Sequence, residues 1–171
     1  EVLLRYLVID ESSALANISP PQFSNDPSHS LMKNLLTIDQ ENSKNLRSIC
    51  ENNRDIELYF TAINKKIAAI ATRLAEIEKP SEDQHSQTIT LSESGLGFLS
   101  PHEFAHDSHL AIHITLLPSH ISLILFAKVI NCSALNREKE DNFAIAVSFI
   151  NLKESDRQII AKHIMQIQLN E

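Results

Sequence analysis

His102-Glu103-Phe104-Ala105-His106 is the pentad whose residue types and spacing spell a metal chemistry. Two histidines at that spacing stand one turn apart on a helix, where both imidazoles can ligate zinc while the glutamate acts as base toward a metal-bound water. Pro101, after Ser100, suits a helix first turn. The residues beyond His106 deny the helix its length. Asp107, Ser108 and a strand-like run from His109 leave hardly more than one turn, and no glycine-spaced third histidine comes after. His109 and His113 fall in or beside that strand, and His29, His85, His120 and His163 are scattered over other elements. The pentad is therefore expected to be a loop without a metal, with a zinc hydrolase as the minor alternative. No Ser-His-Asp or Cys-His order stands out, no glycine loop could cradle a phosphate, and the carboxylates are dispersed along solvated faces. Neither an enzyme nor a cofactor is expected.

The elements around the pentad change character along the chain. Residues 2–9 are apolar with a single charge and read equally as a short helix or a strand. Residues 1–30 as a whole read as an N-terminal segment and linker, because Asp10 to Ser30 is rich in Ser, Asn, Asp and Pro and holds Pro20-Pro21 and Pro27. After Ser81 to Ser86, a polar hinge, the period becomes two. Thr88 to Leu91 is a candidate strand, and Ser92 to Phe98 holds both glycines of the chain, marking a backbone in need of freedom. Leu110, Ile112, Ile114 and Leu116 alternate with Ala111, His113 and Thr115, the pattern of a half-buried strand. Pro118-Ser119-His120 turns it into a second strand, Ile121 to Ile130, and a third carries Phe143, Ile145, Val147 and Phe149 on one face. A helix from about Glu154 to Gln168 closes the chain, with Ser155 and Gln158 placed to make a capping box. Short strands with tight turns and one closing helix predict a small antiparallel β-barrel over 87–171.

Ahead of the barrel lies a stretch with a different period. Apolar residues recur in steps of three and four over Leu46, Ile49, Ile56, Phe60, Ile63, Ile67, Ile70, Leu74 and Ile77, with Asn53 as the polar member. Such spacing is the mark of a coiled-coil seam, in which Leu46, Asn53, Phe60, Ile67 and Leu74 are a positions and Ile49, Ile56, Ile63, Ile70 and Ile77 are d positions. A helix over this stretch would run about 48 Å. Isoleucine at every d with Leu or Phe at a disfavours a parallel dimer and points to a trimer or tetramer, and Asn53 would fix register by pairing with its equals. Residues 31–79 are thus expected to be an oligomerisation element, one long helix or two, with any first helix ending near Thr37. This gives an α+β class: a long coiled-coil helix, then a small barrel with a C-terminal helix.

Composition bounds the partners. The formal net charge is −7, which argues against nucleic acid or an anionic membrane as partner, since both select basic surfaces. No apolar run approaches the roughly 20 residues that span a bilayer. Cys50 and Cys132 lack metal-type spacing and read as reduced thiols, so a cytoplasmic location is expected. The chain starts at Glu1 without a methionine or a signal-like apolar segment, and is expected to be a trimmed piece of a longer one.

The second half resembles the PilZ family of small β-barrel domains, receptors of cyclic di-GMP. Three stretches carry the resemblance, which covers about Thr88 to Leu169. Thr90-Leu91-Ser92-Glu93-Ser94-Gly95-Leu96-Gly97-Phe98 is similar to the family's Asp/Asn-x-Ser-x-x-Gly motif with its Leu-Gly-Phe continuation; Leu116-Leu117-Pro118 and the strand after it resemble the central hairpin; Phe143 to Phe149 with Leu152, Ser155-Asp156-Arg157 and the last helix resemble the closing elements. The resemblance implies a ligand site at Thr90, Ser92 and Gly95, completed by an Arg-x-x-x-Arg pair ahead of the barrel. Here Thr90 stands where the family has Asp or Asn, and Arg73 is the one arginine between Lys65 and Thr90. Each missing charge-assisted bond is worth roughly 1.5–3 kcal/mol, so the chain is expected to be a degenerate member that does not bind cyclic di-GMP by the usual route. The alternative is a true receptor whose arginines come from elsewhere. The family also contains members with long heptad-repeat helices that form tetramers. By resemblance, then, this is a bacterial signalling protein of motility, pili, biofilm or virulence, acting through itself and through protein partners.

Overall fold

The computed structural model describes residues 1–23, 27–51, 53–77, 85–137 and 140–169. Among the described residues seven strands form one curled antiparallel sheet: β1 (Val2–Ile9), β2 (His85–Gln87), β3 (Thr90–Leu91), β4 (Gly95–Ser100), β5 (His109–Leu116), β6 (Ile121–Arg137) and β7 (Glu140–Ile150). Their order is β2-β1-β5-β6-β7-β4-β3. The apolar run at residues 2–9 is a strand, and it lies inside the sheet. β1 pairs along its whole length with β5, from Val2 opposite Leu116 to Ile9 opposite His109, and also takes β2 on its other side at Val2 to Leu4. β1, read from the sequence with the N-terminal segment, thus pairs within the same sheet as the strands that follow residue 87.

β5 departs from the half-buried pattern, since every residue from Leu110 to Leu116 is buried. One face carries Leu110, Ile112, Ile114 and Leu116 into the main core with Leu123, Leu125, Val129, Ile145 and Val147. The other is covered by the segment expected to be a linker. There, helix α1 (Glu11–Leu15) touches β5 and β6, and a 3-10 turn, Pro21–Phe23, sets Phe23 against Ala111 and Phe126. Arg5 holds that turn by donating from Nη1 to the Gln22 carbonyl at 3.2 Å, with its guanidinium 5.3 Å from the Phe23 ring centre. Phe23 in turn lies over the buried His113, ring centres 5.6 Å apart. α1 forms because Asp10 caps it: one carboxylate oxygen accepts from the Ser13 amide and the other from the Ser13 hydroxyl, both at 2.8 Å, and the Ser12 hydroxyl also bonds the carboxylate. Those bonds hold the Asp10 carboxyl well below the usual carboxylate range.

The curled sheet closes through side chains. Tyr6 of β1 and Ser100 of β4 share a hydrogen bond of 2.9 Å, and the Leu99 amide donates to Gln87 Oε1 at 3.2 Å. β6 runs past Ile130 to Arg137, the extra length accommodated by a bulge between Val129 and Asn131 that leaves Ile130 exposed. Helix α4 (Glu154–Gln168) plugs the core with Ile159 and Ile160, but without the expected capping box. The helix starts two residues earlier than that box requires. Lys153 is the N-cap and Ser155 already lies inside the first turn, its hydroxyl 3.4 Å from Asp156 Oδ1.

Between β1 and β2 the chain makes an excursion of two helices, α2 (Pro27–Cys50) and α3 (Arg54–Ile77). α2 runs through Thr37, where one of the two readings of the sequence ended a first helix, and the break falls inside the seam. Asn53 Oδ1 accepts from the Asp55 and Ile56 amides at 3.1 and 3.3 Å, so Asn53 caps α3 instead of standing mid-helix at an a position. No helix among the described residues is long and apolar enough to cross a membrane.

Candidate functional site

The turn between β3 and β4 brings Ser92 and Gly95 together. The Ser92 amide donates to the Gly95 carbonyl at 2.9 Å; the Ser92 hydroxyl donates to the same carbonyl at 3.0 Å and accepts from the Gly95 amide at 3.2 Å. The Phe149 amide donates to the Ser94 carbonyl at 2.8 Å and ties the turn to β7. Gly95 is needed for close approach: a Cβ there would sit 2.1 Å from the Val147 carbonyl oxygen. At Gly97 an added Cβ would make only ordinary contacts of 3.7 Å, and neither glycine has a positive φ. The two glycines thus mark one tight strand crossing, where the sequence pointed to unusual backbone freedom.

Thr90 sits beside this turn, opposite Gly97 and exposed. With Thr88, Leu99, Asn131 and Ser133 it lines a groove of about 350 Å³ on the outer face of β3, β4, β7 and β6. The described residues lining the groove include no charged side chain. Hydroxyls and an amide can hydrogen-bond a ligand there, but among the described lining residues a phosphate would find no cation to offset its desolvation. Arg73 lies away from the groove lining, exposed on α3.

The His102 to His106 pentad forms the loop between β4 and β5, in bends and turns, with no helix to bring its imidazoles onto one face. Phe104 anchors it, buried in the main core and packed edge-on against Tyr6 at 5.6 Å between ring centres. The His102 amide donates to Ser100 Oγ at 2.9 Å. At the other end, Asp107 takes Lys128 Nζ at 2.8 Å on one oxygen and His106 Nδ1 at 3.1 Å on the other. The hydrogen bond from Lys128, then that from His106, lowers the Asp107 pKa, and the same bond raises that of Lys128. Among the described residues no three metal-ligating side chains gather.

The seam residues divide between two helices. Leu46 and Ile49 lie in the last turns of α2; Ile56, Phe60, Ile63, Ile67, Ile70 and Leu74 lie in α3, which ends at Ile77. Ile49, Phe60, Ile67, Ile70 and Leu74 are exposed, Ile70 most of all at 63%, while Leu46, Ile56 and Ile63 are half-buried. Asn53 is exposed at the break.

One residue pair escaped the sequence reading. Lys33 Nζ of α2 lies 3.0 Å from Oδ1 of Asp156, a buried carboxylate in the first turn of α4. One turn along, Leu36 packs on the main core, and α2 crosses β6. These contacts fasten the start of the helical excursion to the barrel. Nothing in the local sequence of either residue signals the other, because the pair spans most of the chain.

Comparison with known proteins places these features. The PilZ domain family model matches residues 71–166. Among solved structures, a crystal structure of a pathogenic protein from Xanthomonas campestris, a tetrameric PilZ domain self-assembled via a helical bundle, is similar with a TM-score of 0.56 and 15% identity, covering 99% of this chain and 86% of that one. At that identity the likeness is one of fold. No curated protein matches the chain.

Proposed function

The chain belongs to the PilZ domain family, and from that premise we propose that it is a non-enzymatic interaction protein of bacterial signalling, which assembles with copies of itself through its helices and does not bind cyclic di-GMP by the family's usual route. The observation that carries this reading is the row of seam side chains left open on α3: Phe60, Ile67, Ile70 and Leu74 are all exposed in the single chain. Full burial of one such side chain is worth roughly 1.5–3 kcal/mol, so covering four of them per copy outweighs a moderate association cost. The isoleucines at d and Phe60 at a favour four helices over two. The helical-bundle tetramer of the Xanthomonas protein supports the same number. Sedimentation equilibrium tests it, and a monomer at tens of micromolar would refute the seam.

The loss of nucleotide binding is supported by Thr90 in the Asp/Asn position, by the uncharged groove, and by Ser92, whose hydroxyl is already bonded to both polar groups of Gly95. A cytoplasmic role in motility, pilus, biofilm or virulence control, exerted through protein partners, goes with the family. A second reading is favoured by the intact Ser92 to Gly95 turn beside an open groove: a neighbouring copy could bring arginines to it, making a true cyclic di-GMP receptor. Isothermal titration with cyclic di-GMP separates the two. No heat at micromolar protein is expected, and micromolar binding would establish the second reading.

A further inference from the structure

The main core opens to solvent beside α4. A pocket of about 180 Å³ lies there, with His163, Ile164 and Ile167 of α4 on one side and Val2, Ile89 and Leu91 on the other. Its walls belong to that core: Val2 is almost wholly buried, and Ile89, Leu91 and Ile164 pack against the same cluster. Leu91 is also the residue before Ser92, so whatever fills the pocket touches the strand that leads into the Ser92 to Gly95 turn.

His163 sets this pocket apart from a packing defect. The residue is 6% exposed, no protein group among the described residues hydrogen-bonds its ring, and neither ring nitrogen is sealed from solvent. A polar group so placed costs free energy until something bonds it. One water could bond a nitrogen, but it takes up about 30 Å³ and would leave the apolar walls wet. Burial holds the imidazole pKa below its ordinary value, so at neutral pH the ring is uncharged, with one nitrogen to accept and one to donate.

Size and charge narrow the occupant. An apolar cavity of about 150 Å³ is enough to bind benzene, so this one has room for one ring or two fused rings. Among the described lining residues there is no lysine or arginine, and Glu1, exposed at the rim, carries a carboxylate that repels an anion. We infer that the pocket binds a small neutral ring compound with a single N–H or hydroxyl, which donates to His163 while Val2, Ile89, Leu91, Ile164 and Ile167 cover the ring. The site shares Ile89 with the uncharged groove and depends on neither self-assembly nor nucleotide binding.

Indole tests this on the full chain, with indene, the same two rings without the N–H, as its control. The expected result is saturable movement of the Val2, Ile89, Leu91, Ile164 and Ile167 methyl resonances by indole, with a dissociation constant on the order of 0.1–1 mM. His163→Leu should lower the ratio of indole to indene affinity about tenfold. Ile167→Trp, at a site that is 40% exposed and so tolerates a larger side chain, should abolish binding of both probes. The imidazole nitrogen resonances of wild-type His163 give a check that needs no variant to fold: indole should shift them more than indene does, and equal shifts would overturn the inference. Methyl movements spread outside the pocket, no saturation by indole at several millimolar, or an affinity ratio unchanged in His163→Leu would each overturn it as well.

Discussion

The barrel and the helical excursion use apolar residues in opposite ways. In β5 every side chain from Leu110 to Leu116 is buried, on both faces, within one copy of the chain. In α3 Phe60, Ile67, Ile70 and Leu74 of an equally regular series stay exposed, Ile56 and Ile63 are half-buried, and Ala71 alone of its described residues is fully buried. A regular apolar pattern therefore names a surface to be covered without saying what covers it. For β5 the cover is the chain's own N-terminal turn; for α3 we propose other copies.

Five measurements break or sharpen that contrast. Ile63→Asp places several carboxylates in one layer of the proposed bundle and should weaken assembly by more than about 4 kcal/mol, seen as a monomer in sedimentation, while the barrel's denaturation midpoint stays where it was. A barrel that melts with it would mean the two regions are not independent. Gly95→Ala does the reverse: a methyl group 2.1 Å from the Val147 carbonyl oxygen must push β4 from β7, at a cost of about 3 kcal/mol or more in chemical denaturation. Assembly of the fraction that remains folded should be unaltered.

Lys33→Met tests the join between the regions. It leaves the Asp156 carboxylate buried without its ammonium, a loss of about 2 kcal/mol, and amide exchange near Leu36 should quicken more than that of Leu123 or Val129. Ser92→Ala removes the hydroxyl that closes the β3–β4 turn and should cost about 1 kcal/mol, with no change in nucleotide titration. Smallest is a pH effect at His163, whose pKa burial pushes below its ordinary value. The unfolded chain then takes up the proton first, so this contribution is level above about pH 6.5 and declines as pH falls below it. Comparing His163→Phe with the wild type between pH 7 and 5.5 should show the smaller decline in the variant.

Much of this architecture is legible in the residues themselves. Alternation located β5 and the start of β6, the spacing of three and four located α3, and the Ser92 to Gly95 motif located the turn. What stayed hidden has identifiable causes. Residues 2–9 have no period because β1 is flanked by β2 and β5 and packs partly on both faces, so its apolar run looks like either element. Phe23 sits among prolines and polar residues that read as linker, and its burial depends on Arg5 and His113, far away in sequence. The break at Asn53 carries no proline or glycine to announce it. The His102 to His106 pentad matches a metal signature by letter alone; the buried residue in it is Phe104, which the signature leaves unspecified.

The position of β1 also has a consequence for the timing of synthesis. β1 emerges well before its partner, and Ile9 and Val2 meet His109 and Leu116 only when β5 emerges, about a hundred residues later. At roughly 5–20 residues per second that interval lasts on the order of 5–20 s. For the last part of it, once Ile77 has emerged, α2 and α3 are complete and the barrel is not, so on the ribosome the helices that we propose to pair with other copies are ready before the sheet that closes on itself.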